Sequence, residues 1–160
     1  MNAGEKLVTI DELAEWRSGL RHAGITLALA NGIFDILHVG HLRYLEGASR
    51  LADRLVVAVN SDRTACAQKG PGRPIMPEKE RAELIAGIYC VDRVCIVDDM
   101  DMRSLIRRIE PDVHVKGTDY TPDTVPEADE VRKHGGIVEV AGDQKKHSAS
   151  GIIEKIRNNK

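Results

Sequence analysis

Aromatic side chains are scarce: one Trp, one Phe and three Tyr make up 3% of 160 residues. That argues against a base-stacking platform for single-stranded nucleic acid. Cysteines are few as well, and Cys66, Cys90 and Cys95 form no C-x-x-C pair and show no zinc-ligand spacing, so they read as reduced thiols of a cytosolic protein. No apolar run approaches the length of a bilayer span, and Met1 to Lys6 lacks an export segment. The expectation is a soluble, cytoplasmic protein without a membrane partner. Excess charge of either sign is missing too, since 23 basic residues face 25 acidic ones for a net −2. No global field invites nucleic acid, and any phosphate affinity has to be local. G-x-G-x-x-G is absent after the first apolar strand, which counts against an NAD site, and the absence of G-x-x-x-x-G-K-[ST] counts against a P-loop kinase. Repeats and low-complexity tracts are also missing. The length fits a single domain over 1–160, with an N-terminal helix within 1–24 and a core over 25–157.

What is present is a series of apolar strands alternating with amphipathic helices. Thr9-Ile10-Asp11-Glu12 fits a capping box, followed by Leu13, Trp16 and Leu20 at helical spacing, and Gly24 ends the helix. Ile25 to Ala30 reads as a strand buried on both faces, and the helix after it carries Leu42, Leu45, Ala48, Ser49 and Ala52 along one side. Further strands are expected at Arg54–Asn60, Val94–Val97, Val113–Lys116 and Ile137–Val140. Helices are expected from Pro77, over Met102–Ile109, over Glu127–His134, and from the serines at 148 and 150. Five strands alternating with helices imply a Rossmann-like, doubly wound parallel sheet of order 3-2-1-4-5, with a crevice beside the first strand.

The polar residues collect at the ends of these strands. His38, Gly40 and His41 stand where the first strand becomes a helix, and a helix start offers free N–H groups and a positive dipole end to an anion. Gly40 lets a phosphate approach the backbone, and two imidazoles three residues apart can donate to one phosphate. The bland alternative is one capping and one surface histidine. The loop Ala67 to Pro74 brings Lys69 and Arg73 to the same edge, as phosphate-binding cations or as solvated loop charges. Arg81 sits on the next helix, either on its surface or reaching the site. Asp98, Asp99 and Asp101 read as an acidic first helical turn, with a metal trio as the alternative. Lys116, Gly117, Asp119 and Tyr120 follow the fourth strand, where Lys116 suits a phosphate and the others a base or sugar. His114, inside that strand, reads as structural. Ser148 and Ser150 either cap the last helix or hold outer phosphates.

Gly32-x-Phe34-Asp35-x-x-His38-x-Gly40-His41 resembles the signature of the HxGH nucleotidyltransferase superfamily, in its cytidylyltransferase-like branch. Asn60-Ser61-Asp62, Lys69-Gly70, Arg73-Pro74, Arg81, Lys116-Gly117-x-Asp119-Tyr120 and the tail from Ser148 to Ile156 extend the likeness over most of 25–157. Together they resemble the heptose 1-phosphate adenylyltransferases, which serve lipopolysaccharide synthesis and often occur fused to a kinase; this chain looks like the stand-alone form. The resemblance implies transfer of AMP from ATP to D-glycero-D-manno-heptose 1-phosphate. In it His38, His41 and Lys69 are catalytic, and Asn31, Gly32, Ile33, Phe34, Gly40, Arg81, Lys116, Gly117, Asp119, Tyr120, Ser148 and Ser150 bind nucleotide. Asp35 and Arg73 contact the sugar phosphate. Mg²⁺ is expected to arrive with ATP rather than in a protein cage, and a homodimer is expected. Ala149 departs from the family's tail, which commonly has Ser or Thr there. A glycerol 3-phosphate cytidylyltransferase is the neighbouring alternative, and a non-catalytic nucleotide sensor the alternative of another class.

Overall fold

In the computed structural model, which describes residues 1–144 and 146–159, five strands form one parallel sheet in the order β3-β2-β1-β4-β5. The strands are β1 (Leu27–Gly32), β2 (Arg54–Asn60), β3 (Arg93–Val97), β4 (Val113–Lys116) and β5 (Ile137–Val140). The helices are α1 (Ala3–Lys6), α2 (Ile10–His22), α3 (Val39–Ser49), α4 (Asp62–Lys69), α5 (Glu78–Ala86), α6 (Arg103–Ile109), α7 (Ala128–Lys133) and α8 (Ala149–Asn158). This is the expected fold class and strand order. The unbroken apolar runs split by the two-residue period of a strand. Leu27, Leu29, Val56 and Ala58 face a layer with α2, α6 and α7, whereas Ala28, Ala30, Leu55, Val57 and Val59 face the layer with α3 and α5.

Local signals place the helices. Thr9 accepts from the Glu12 N–H and the Glu12 carboxylate accepts from the Thr9 N–H, the expected capping box. Buried Arg17 donates to the Ile109 and Glu110 carbonyls and pairs with Asp112 at 2.9 Å, tying α2 to the segment that leads into β4. Trp16 packs against the core and carries the Arg93 guanidinium over its ring at 5.0 Å.

Three local expectations are corrected. Strand β1 runs two residues further, through Asn31 and Gly32, because both pair with β2. On α3, Leu42 is exposed and Tyr44 takes its place inward, stacked beside Phe34 and donating from its hydroxyl to the Val115 carbonyl at 2.7 Å. Ala67 to Lys69 finish a helix rather than begin a loop, since Ser61 caps α4 by accepting from the Thr64 N–H.

Because β1 lies between β2 and β4, the chain leaves it toward β2 and β3 and later returns to its other side with β4 and β5. Connections therefore diverge at the C-terminal end of β1, where an open α/β sheet has its crevice.

Candidate active site

A cavity of about 510 Å³ opens at that point. It is lined by Asn31 to Asp35, His38 and His41 after β1, by Gln68, Lys69 and Arg73 after β2, by Met100 to Met102 after β3, by Lys116, Gly117, Asp119 and Tyr120 after β4, and by His147 to Ser150 after β5. A smaller cavity of about 100 Å³ adjoins it on the β4 and β5 side, between Gly117 to Asp119 and Ala141 to Gln144.

The histidine pair is built by its glycines. Phe34 has a left-handed backbone, φ 51°, and its ring lies back over Gly32, where a Cβ would come within 3.0 Å of it. The Phe34 ring then meets the His41 imidazole edge-on at 5.2 Å. His38 occupies the N-cap position of α3 in extended conformation, yet its side chain makes no capping bond. Instead the His38 and His41 rings stack at 3.8 Å, and a Cβ at Gly40 would sit 3.0 Å from the His38 ring. Burial drives the His41 pKa down to about 4, with the neighbouring His38 adding to the effect. Burial, then His147, lowers that of His38. Near neutral pH both imidazoles are uncharged. Their Nδ1 atoms and the Asn31 Oδ1 are buried without a hydrogen-bond partner among the described residues. Buried polar groups left open at the start of a helix suit a bound ligand.

Two residues assigned to ligands have protein partners. Arg81 is absent from the cavity wall among the described residues: it is fully buried behind it, donating to the carbonyls of Met76 and Ile33 and pairing with Asp62 at 2.7 Å. It braces the motif backbone and has no donor to offer a nucleotide. Asp35 is also committed, accepting from the Arg73 guanidinium at 2.7 Å and from the N–H groups of Ile75 and Met76. Burial alone would raise its pKa, but those donors outweigh it and hold the carboxyl below its usual range. Asp35 and Arg73 thus fasten the 73–76 loop to the motif while both line the cavity.

Lys69 is exposed at the end of α4 and lines the cavity, as does Ser150. Ser148 caps α8 by accepting from the Gly151 N–H at 3.0 Å. The three aspartates after β3 are occupied: Asp98 with Ser61 and Arg63, Asp99 with Ser104, and Asp101 with Arg103. Lys116 is buried, its ammonium 5.4 Å over the Tyr120 ring and 3.7 Å from Glu127.

Asn60, quoted for the resemblance without a role, lines the cavity, and so do Glu127, Tyr44, Gln68 and His147, which were not singled out. His147 carried a signal, since it directly precedes Ser148 on the ligand edge. Glu127 carried none: it lies eleven residues beyond Lys116 and meets it only through the fold of the connecting segment.

The geometry has counterparts. Bifunctional protein HldE of Syntrophotalea carbinolica is 45% identical over 136 residues, covering 85% of this chain and 28% of that protein. Its namesake in Azotobacter vinelandii is 48% identical over 134 residues, again 84% of this chain and 28% of the relative. The chain therefore spans under a third of these relatives. The crystal structure of a lipopolysaccharide core biosynthesis protein from Thermoplasma volcanium superimposes with a TM-score of 0.62 at 34% identity, covering 73% of this chain and 94% of the other. The stretch from β1 to α8 that builds the cavity, residues 29–156, matches the cytidylyltransferase-like family, and the chain belongs to that family.

Proposed function

We propose that the protein transfers AMP from MgATP to D-glycero-D-manno-heptose 1-phosphate, releasing pyrophosphate. The observation that carries this reading is the stacked, neutral His38–His41 pair at the start of α3, facing a cavity large enough for a nucleotide and a sugar phosphate. The acceptor follows from the Lys116-Gly117-Thr118-Asp119-Tyr120 context, and the HldE relatives and the lipopolysaccharide core biosynthesis protein support it. An oxygen of the sugar 1-phosphate attacks the α-phosphorus of ATP in line. The new P–O bond forms as the bond to the bridging α–β oxygen breaks, and the electron pair leaves with pyrophosphate. The attacking phosphate is already ionised, so no base and no covalent enzyme intermediate are required. His38 and His41 donate N–H to the oxygens that gain charge, while Lys69 and the α3 start neutralise the triphosphate. Mg²⁺ would enter as part of the MgATP substrate, since the imidazoles and the Lys69 ammonium at the α3 start are poor ligands for it. A homodimer belongs to the same proposal, on the base rate for soluble enzymes; sedimentation velocity tests it.

Pyrophosphate release with Mg²⁺, each of ATP, CTP, GTP and UTP, and either heptose 1-phosphate or glycerol 3-phosphate tests the reading. Release with ATP and heptose 1-phosphate is expected. Release with CTP and glycerol 3-phosphate would move the protein to a sister activity, and no release with any pair would leave a nucleotide-binding sensor.

A further inference from the structure

Resting on that reading, the far end of the cavity holds a buried carboxylate with few partners. Glu127 is 4% exposed, yet its Oε2 has no hydrogen-bond partner among the described residues. Its contacts are long: the Met102 N–H donates to the other oxygen at 3.5 Å, and the Lys116 ammonium and His114 Nε2 stand 3.7 and 3.8 Å from Oε2. A buried carboxylate with such loose contacts is costly unless a further donor completes it. Glu127, Lys116 and Tyr120 all line the cavity, so a hydroxyl entering this end meets the ammonium and the carboxylate together. A hydroxyl there would accept from the ammonium and donate to the carboxylate.

The charge state says what does not belong here. Burial pushes the Glu127 carboxyl pKa up, but the neighbouring His114 imidazole and Lys116 ammonium override that and bring it down to about 2. The carboxylate offsets the Lys116 ammonium beside it, so this end carries little net charge and suits the uncharged part of a substrate. It lies beside Met102 and Pro126, whereas the smaller cavity lies on the β4 and β5 side. We propose that Glu127, with Lys116, forms a hydroxyl-binding subsite that selects a polyhydroxylated acceptor sugar. Ribose hydroxyls of the nucleotide share this chemistry, and the position beside the β3 end favours the acceptor.

Glu127→Gln keeps the shape and exchanges an ionised acceptor for a neutral amide. In the full-length chain the KM for heptose 1-phosphate rises at least tenfold, with the KM for ATP within twofold of wild type and kcat little changed. A rise in the KM for ATP instead, or an unchanged acceptor KM, would overturn the proposal, since a carboxylate that merely steadies Lys116 disturbs the nucleotide. The unmodified protein supplies a second measurement that needs neither a variant nor turnover. Calorimetric binding of heptose 1-phosphate and its monodeoxy analogues, in the presence of a non-hydrolysable ATP analogue, should show at least one hydroxyl whose removal weakens binding tenfold or more. Equal binding of all analogues, no binding of any, or a loss that follows 2′- or 3′-deoxy-ATP rather than the acceptor would overturn the subsite. Hydroxyl-dependent binding without pyrophosphate release would sink the transferase reading and leave the subsite standing.

Discussion

At the scale of single residues, the proposed reaction separates groups that would meet ligand from groups that hold them in place. It puts His41 in the first kind: its ring is set by Phe34 and His38, and its buried Nδ1 has no hydrogen-bond partner among the described residues. His41→Ala is expected to lower turnover by orders of magnitude with the urea midpoint little changed. Near-normal pyrophosphate release would remove the imidazole from the mechanism. Arg81 belongs to the second kind. Arg81→Met leaves the Ile33 and Met76 carbonyls without their donor and Asp62 without its cation. Urea denaturation should show a loss of about 3 kcal/mol. A loss below about 1 kcal/mol would mean that backbone relaxation or water replaces those bonds.

Among the elements, α8 stands apart. None of its residues is buried, although Ser148, Ala149 and Ser150 at its start line the cavity. Its stability therefore rests on local terms such as the Ser148 cap rather than on the core. Ser148→Ala should weaken the helix by about 1 kcal/mol, seen as faster amide exchange over 149–158, and raise the KM for ATP while the global melting temperature stays put. A matching fall in melting temperature would show that α8 is integral to the cooperative fold. The same reasoning explains what could be read of the elements beforehand. Capping boxes, glycine stops and β-branched runs are local, so α2 and all five strands were legible. The inward turn of Tyr44 and the outward turn of Leu42 depend on which α3 face meets β1 and Phe34, and apolar character does not decide between two apolar residues.

For the molecule as a whole, buried ionisable groups govern the response to pH. His41 titrates near 4 in the folded protein against an ordinary value of 6.5, and His38 and His114 are lowered as well, burial being the largest cause in each. Between these pH values the unfolded chain binds more protons, so stability rises with pH there and is lost as pH falls from about 6.5 toward 4. Glu127 and Asp35 act below that window: their contribution is present above the unfolded carboxyl values and disappears as pH falls through the lowered ones. The urea midpoint should therefore be flat between about pH 7 and 8 and decline steadily from 6.5 downward. A midpoint unchanged between pH 7 and 5 would show that the imidazoles are hydrated in the folded state.

By itself the sequence determined the fold class, the strand order, the position of the crevice and the motif that fills it. Each of these follows from periodicity, caps and residue types set close together along the chain. The tertiary structure alone decided which charged groups remain free for a ligand. Arg81 looks like a site residue in the chain, yet it is fully buried on the carbonyls of Ile33 and Met76 and the carboxylate of Asp62, whereas Asp35 and Arg73 pair with each other at the cavity wall. Glu127 looks like an ordinary helix-start acid and becomes a buried carboxylate beside Lys116. Hydrogen-bond saturation and burial arise between distant segments, so no local pattern of residues can carry them.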